Sequence, residues 1–377
     1  MDWTPLPFTG ALRCAPTLLS GMSFRWSRVA ESDDCFVGVL GSTTIELRQE
    51  PSGGVSFRCR AKQRAEAAAL LRSHLRLDEP AAADHHEWHT CKLSPAVKRF
   101  RQCASLLPGV RVLSILDPWE CLVTFMGSAN NNIKRNMQMV QSLAASFDSN
   151  RLSDDAYGGC HYSFPSVDEV MTLSEEYLWE VGWGYRAPRL YKLVREVAER
   201  GGEGWLHGLA QESDPILVRK ALMSLTGVGR KVADCILLFG FGFDGVVPVD
   251  THCYQLAQRY LLPSYLHNKA GLSAGVYDKV VEAWHHVFGE ERAGHAFMVM
   301  FVAELSDFRK QMAQAECDAE ALKEEEKKAK RKRVKVKVEE VVEPVTPPSK
   351  GKKRSRIKEV EVVKAEVKPK RACRRKI

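Results

Sequence analysis

Lys231 and Asp250 are the two residues whose surroundings best suit chemistry, and both lie in the stretch LTGVGRKVADCILLFGFGFDGVVPVD, residues 225–250. Lys231 opens an apolar segment, where burial and the positive end of a helix disfavour the ammonium form and favour the nucleophilic amine. Asp250 ends a β-branched run and precedes an amphipathic segment, so we expect it to cap a helix. Its carboxylate could stabilise a cation formed beside Lys231, although a cap without chemistry is the alternative.

Two helices joined by a short glycine turn must position Lys231. The first, PILVRKALMSL (215–225), begins with proline and has apolar residues at helical spacing. The second, KVADCILLFGF (231–241), is apolar nearly all round, as a buried helix is. Gly227 and Gly229 permit a tight turn with positive φ. The N–H groups that open the second helix could then hold an anion such as a DNA phosphate, although an ordinary helical corner has the same pattern.

These residues resemble the helix-hairpin-helix DNA glycosylase superfamily and, more closely, the eukaryotic 8-oxoguanine DNA glycosylase/AP lyase family. The core of the resemblance is L-x-G-V-G-x-K-V-A-D-C followed by V-P-V-D-x-H, and it is joined by SGMSFRW, PGVRVL with DPWECL, NNNIKR and GWGYRA in the family's order. The resemblance implies that Lys231 attacks C1′ of a flipped nucleotide, that the base departs, and that a Schiff base leads to β-elimination. It also implies that Asp250 stabilises the positive charge on the sugar.

The resemblance further implies a base pocket. Gly21 would present a backbone carbonyl to N7–H of 8-oxoguanine, a hydrogen that guanine lacks, whereas read alone Gly21 is a turn glycine. Phe301 would stack on the flipped base, and Cys235 would approach its opposite face. Phe297 stands where the family has a glutamine that reads the Watson–Crick edge, so base selection departs from the family at this position.

A DNA-binding set is implied in the same way. Base extrusion needs an aromatic wedge to fill the gap and donors to satisfy the orphaned base. The set comprises Asn130 and Arg135 at the estranged base, Tyr185 as the wedge, Arg186 as a second cytosine contact, and Gly227, Val228, Gly229 and His252. A lone tyrosine is more often a core residue, which is the alternative for Tyr185. The run of three asparagines is expected at a helix start.

The order of the segments predicts an α+β fold. The runs MSFRW, CFVGVL, TTIELRQ and VSFRCR alternate like strands and predict a small antiparallel β-sheet domain over residues 1–95. Residues 96–312 predict a mostly helical body that contains the helix-hairpin-helix, and the resemblance implies that the sheet packs on it. Residues 313–377 are charged and free of aromatic residues, which predicts a disordered basic tail.

Charge is unevenly distributed along the chain. Residues 323–377 contain 22 Lys/Arg and 9 Asp/Glu, whereas the rest contains 33 and 38. Because the body is not basic, DNA binding must rely on a local patch and on backbone N–H groups. The basic clusters of the tail are interpreted as nuclear localisation signals or loose DNA anchors, with a solubilising tail as the alternative. We therefore expect the nucleus, or alternatively the mitochondrion, as the location.

No cofactor or metal is expected. The 11 cysteines are scattered without C-x-x-C, which argues for free thiols in a reducing compartment. Only Cys317 and Cys373 follow the body, so the iron–sulfur cluster of several relatives is not expected. DHHEWHTC (84–91) could offer zinc ligands but lacks a second ligand pair. G-F-G-F-D-G (240–245) fits a nucleotide-binding pattern but follows a helix instead of a strand, so we interpret it as chance.

The expected partner is double-stranded DNA containing oxidised guanine, bound by a monomer. No membrane is expected, because no apolar run approaches the length of a span and the N-terminus lacks a secretory pattern. Two alternatives stay open. A related glycosylase for alkylated or ring-opened purines would be consistent with Phe297. A DNA-binding protein without catalysis would need neither Lys231 nor Asp250.

Overall fold

The computed structural model describes residues 2–30, 32–84, 88, 94–152, 159–264, 272–310 and 313–314. Most of the histidine- and cysteine-bearing stretch 84–91 lies outside these residues, as does the predicted disordered tail beyond residue 314. Within them the predicted α+β class is confirmed, because an antiparallel sheet precedes a mostly helical body. Residues 1–318 form one compact unit, and the division at residue 95 stays a prediction.

Five strands form an antiparallel sheet in the order β1-β5-β4-β3-β2. They are β1 (Thr4–Pro5), β2 (Trp26–Arg28), β3 (Cys35–Leu40), β4 (Thr43–Gln49) and β5 (Val55–Arg58). The predicted strand MSFRW is wrong before Trp26. Trp26 pairs with Gly38, so the same register would carry Ser23 to Gly41, where β3 has already ended.

The helical body contains the remaining elements. In chain order the described helices are α1 (Cys14–Leu18), α2 (Arg64–His74), α3 (Pro95–Leu106), α4 (Pro118–Gly127), α5 (Ile133–Ala144), α6 (Val167–Met171), α7 (Glu175–Leu178), α8 (Ala187–Glu199), α9 (Gly202–Ala210), α10 (Pro215–Met223), α11 (Arg230–Phe239), α12 (Thr251–Tyr260), α13 (Ala274–Phe288) and α14 (Ala293–Glu304). A two-stranded ribbon, β6 (Arg151–Leu152) and β7 (His161–Tyr162), interrupts them.

Side-chain caps set the start of two helices that matter for the site. Asn132 caps α5 by accepting a hydrogen bond from the Arg135 N–H at 2.8 Å, which confirms that the asparagine run opens a helix. Asp214 caps α10 by accepting from the Ile216 N–H at 2.8 Å. Both caps satisfy backbone donors that the helix cannot pair internally. The chain therefore enters each helix at a residue that the sequence specifies.

One hydrophobic core joins the sheet to the helices, and it includes Trp26 of β2 and Phe125 of α4. Within the buried interior, the Trp26 indole N–H donates to Nε2 of His74 at 2.9 Å, and Nδ1 of His74 lies 2.5 Å from the Ser114 carbonyl. Burial lowers the pKa of His74 to about 4. A neutral imidazole therefore links β2, α2 and the chain before α4.

Candidate active site

The turn between α10 and α11 depends on Gly227. Its φ is +84°, and a Cβ there would approach Cβ of Arg189 and Cγ of Met126 to 3.4 Å each. Glu196 of α8 holds the turn by accepting hydrogen bonds from the N–H and the hydroxyl of Thr226, both at 2.7 Å. Burial acts to raise the pKa of Glu196, but these hydrogen bonds outweigh it and hold the pKa below its usual value.

The expectation of a positive φ at Gly229 is wrong. Gly229 has a φ of −86° and a ψ of 175°, an extended conformation from which α11 begins. Within the described part of the chain, no side chain caps this helix start, and a Cβ on Gly229 would meet nothing within 4 Å. Val228 is buried beneath the turn. The helix start is therefore accessible and can hold an anion through its free N–H groups.

Lys231 lies in the first turn of α11 and is partly buried. Its ammonium group donates to Oγ of Ser128 at 3.3 Å and lies 5.9 Å from the centre of the Phe125 ring. One turn further on, burial raises the pKa of the Cys235 thiol to about 11, Lys231 opposes that rise, and Asp250 adds to it. Cys235 is thus a neutral thiol that lies within the electrostatic reach of both Lys231 and Asp250.

Asp250 is half-buried and caps α12, as predicted. One carboxylate oxygen accepts from the Cys253 N–H at 2.8 Å. The positive end of the helix stabilises negative charge at this position. The other oxygen therefore stays available to face a cation, so the cap and a chemical role are compatible.

Aromatic rings from α14 approach the start of α12. Phe297 is 4% exposed and packs edge-on against Trp284, with ring centres 5.6 Å apart. Its other neighbour is Phe301, also at 5.6 Å, and the half-buried Phe301 ring lies edge-on to His252 at 6.0 Å. His252 is exposed. The structure thus places Phe301 at the surface beside the Asp250 helix start and Phe297 one turn deeper in α14.

Gly21 lies against the first residue of α5. Its φ is +83°, and a Cβ would approach the Cγ1 and Cδ1 atoms of Ile133 to 3.0 and 3.1 Å. Both the backbone conformation and the lack of space therefore favour glycine. The fold brings this residue of the N-terminal segment beside the asparagine run, although more than a hundred residues separate them.

The predicted wedge region is well defined. Tyr185 is 44% exposed, which excludes the core alternative, and its ring lies 4.3 Å from the Arg186 guanidinium carbon. Arg186 is only 1% exposed and donates to the carbonyls of Ala129 and Asn130 at 2.6 and 2.9 Å. Asn130 has a φ of +50°. Arg186 therefore supports the asparagine turn, and its contact with a cytosine stays a prediction.

Two further features surround this region. Burial lowers the pKa of Arg186, and its Nε and Nη1 have no hydrogen-bond partner among the described residues. Arg135 is exposed, and its Nη2 lies 3.8 Å from the position that a Cβ on Gly184 would occupy. The guanidinium groups of Arg135 and Arg186 therefore both lie close to the Gly184–Tyr185 segment.

Sequence reasoning missed several residues that the structure connects to the site. Ser128, the hydrogen-bond partner of Lys231, carried no signal. Asp234 did carry one, because a carboxylate inside the apolar run of α11 must find partners when it is buried. Those partners, Arg219 and Tyr277, come from α10 and α13, and only the fold identifies them.

Among the described residues, no group of three His, Cys, Asp or Glu side chains could hold a metal ion. The candidate zinc ligands of residues 84–91 lie mostly outside those residues. The cysteines that the structure describes are free thiols. In the same part of the chain, no helix combines the length and the apolar character needed to cross a bilayer.

Comparison with known proteins gives consistent matches. Residues 6–122 match the family model described as 8-oxoguanine DNA glycosylase, N-terminal domain. The Arabidopsis thaliana protein N-glycosylase/DNA lyase OGG1 is 35% identical over 309 residues, which are 80% of each chain. The Saccharomyces cerevisiae N-glycosylase/DNA lyase is 37% identical over 174 residues, which are 44% of this chain and 45% of the yeast protein.

A solved structure shares the fold. It is the Clostridium acetobutylicum 8-oxoguanine glycosylase/lyase in complex with double-stranded DNA containing cytosine opposite 8-oxoG. The TM-score is 0.62 at 20% identity, and the match covers 80% of this chain and 97% of the bacterial one. At this identity the likeness establishes a common fold.

Proposed function

The chain belongs to the eukaryotic 8-oxoguanine DNA glycosylase/AP lyase family, and we propose that it excises 8-oxoguanine opposite cytosine from duplex DNA and then nicks the strand. One observation carries this proposal. Lys231 lies partly buried at the accessible start of α11, and the Cys235 thiol lies within the electrostatic reach of both Lys231 and Asp250. A binding protein without catalysis needs no such convergence.

The proposed chemistry follows from these groups. The nitrogen of Lys231, after giving up a proton, forms a bond to C1′ while the bond from C1′ to the base breaks. The base leaves with the bonding electrons and takes up a proton that the attacking nitrogen loses. The Asp250 carboxylate stabilises the positive charge that develops on the sugar. The sugar ring then opens: the nitrogen lone pair forms the C1′=N bond, the C1′–O4′ bond breaks and O4′ takes up a proton, which gives a protonated Schiff base. Loss of a C2′ proton then expels the 3′ phosphate by β-elimination, and water finally releases Lys231.

The surface around Lys231 supports binding of a flipped nucleotide. The free N–H groups after Gly229 suit a phosphate. Tyr185 is exposed enough to enter the stack that the base has left, and the converging guanidinium groups of Arg135 and Arg186 suit the base that remains. Gly21 lies beside the same asparagine turn, where its backbone can approach a base closely. The bound species is therefore proposed to be a distorted duplex with one extruded nucleotide.

Two further expectations complete the proposal. The protein is proposed to act as a monomer. It is proposed to act in the nucleus, since residues 323–377 carry a strong excess of Lys and Arg.

Borohydride trapping tests the chemistry. The wild type should give a covalent adduct with a duplex carrying 8-oxoguanine, and Lys231→Gln should give none while it still binds DNA. Lys62→Gln is the control, because that side chain is exposed in the segment before α2 and its loss should leave the adduct unchanged. An adduct that persists in Lys231→Gln would reject Lys231 as the nucleophile.

A further inference from the structure

A buried carboxylate lies in the same helix as Lys231 but takes no part in the chemistry described above. Asp234 of α11 is 1% exposed. Its Oδ1 accepts from Nε of Arg219 at 2.5 Å, and its Oδ2 accepts from the hydroxyl of Tyr277 at 2.5 Å. Both oxygens are therefore engaged, one with α10 and one with α13.

Tyr277 also contacts the backbone of residues 246–249, which lead into Asp250. Its hydroxyl oxygen accepts from the Val249 N–H at 3.0 Å while its proton goes to Asp234. Burial, together with the neighbouring Asp234, raises the pKa of Tyr277, so the phenol keeps its proton and stays a donor. Residues 246–249 belong to no helix or strand. The Tyr277 hydroxyl thus ties the backbone immediately before Asp250 to the body.

We infer that Asp234 and Tyr277 are positioning residues that set Asp250 relative to Lys231. The chain of contacts begins in the helix of Lys231, passes through the two side chains, and ends one residue before Asp250. Apolar residues of similar volume commonly stabilise a fold as well as a buried ion pair does. Two polar side chains inside this core are therefore better explained by orientation than by stability, since small displacements of catalytic groups lower rates strongly.

Tyr277→Phe is the most specific test, and it rests on the proposed function. The variant removes one oxygen and keeps the ring, over which the Arg230 guanidinium lies at 4.0 Å. The single-turnover rate on the 8-oxoguanine duplex should fall at least tenfold. The dissociation constant for a duplex with an uncleavable abasic analogue should stay within twofold. Asp234→Asn should slow the reaction in the same way, and it provides a second route should either protein fold poorly.

A double-mutant cycle separates positioning from general stability. If Tyr277 acts through Asp250, Tyr277→Phe should change the rate by less than twofold in an Asp250→Asn background. Ser166→Ala, which removes the cap of α6 far along the chain, should lower the melting temperature and leave the rate unchanged. Hydrogen–deuterium exchange of the peptide containing Val249 should become faster in Tyr277→Phe and stay unchanged in Ser166→Ala.

The outcomes distinguish this inference from the proposed function. A wild-type rate in Tyr277→Phe, equal losses in the two backgrounds, or unchanged exchange at Val249 would each overturn the positioning role while the wild-type adduct keeps the enzyme assignment. A wild type that neither cuts nor traps the duplex would overturn the proposed function, and this inference would fall with it.

Discussion

Replacing Asp250 by asparagine separates its charge from its role as a helix cap. Asparagine accepts the Cys253 N–H as well as aspartate does, so the free energy of unfolding should change by less than about 0.5 kcal/mol. The change removes the negative charge opposite the cationic sugar. At about 4 Å and an effective dielectric constant of about 20, that interaction is worth about 4 kcal/mol, and partial exposure of Asp250 reduces it. Since each 1.4 kcal/mol is about tenfold in rate, the single-turnover rate should fall by about 100- to 1,000-fold.

Asp250→Ala provides the comparison, because it removes both charge and cap. Its rate should resemble that of Asp250→Asn, but its free energy of unfolding should fall by about 1 kcal/mol. Asp214 is the control, since it caps α10 by accepting from the Ile216 N–H, also at 2.8 Å. Asp214→Asn and Asp214→Ala should reproduce the two stability effects and leave the rate unchanged.

The assay combines single-turnover cleavage with enzyme in excess, affinity for an uncleavable abasic analogue, and urea unfolding. The dissociation constant should change little, because the charge is needed mainly at the transition state. Asp250→Asn retaining more than a third of the wild-type rate would refute the electrostatic role. A loss of rate that follows the loss of stability across all four variants would support a cap without chemistry.

Three other predictions concern the pocket, the core and the tail. Phe297→Gln should raise the single-turnover rate on 8-oxoguanine relative to the rate on ring-opened guanine, each opposite cytosine. The reason is that the variant restores the family's hydrogen-bonding side chain, and one such hydrogen bond is worth about 1–3 kcal/mol. An unchanged ratio of the two rates would mean that Phe297 does not contact the base. His74, whose pKa is lowered from 6.5 to about 4, stabilises the fold fully above pH 6.5 and loses this contribution as the pH falls toward 4, by about 3 kcal/mol in total. Urea midpoints at pH 7 and pH 4.5 should therefore differ less in His74→Gln, and equal differences would contradict a buried neutral imidazole. Deleting the chain after Met312 should leave the single-turnover rate nearly intact but abolish nuclear accumulation and weaken DNA binding at low salt, and a truncated protein that still enters the nucleus would show that the signal lies elsewhere.

The sequence by itself determined the local architecture of the site. Proline at the start of α10, Gly227 at the turn and Asp250 at the start of α12 act through contacts within a few residues, and such contacts can be recognised in a linear pattern. The same reasoning failed where a segment needed a partner. MSFRW alternates like a strand, but in the observed register β3 has ended before Met22 and Ser23 can pair. At Gly229, composition did not reveal an extended conformation.

Only the tertiary structure decided which groups meet across long separations. Ser128 reaches Lys231, Tyr277 joins Asp234 to the Asp250 segment, and Gly21 lies against the start of α5. Arg186 is buried against backbone carbonyls because the asparagine turn folds over it. Burial, charge pairing and close packing depend on positions in space, so residue type and spacing could nominate Lys231 and Asp250 but could not supply the residues that hold them.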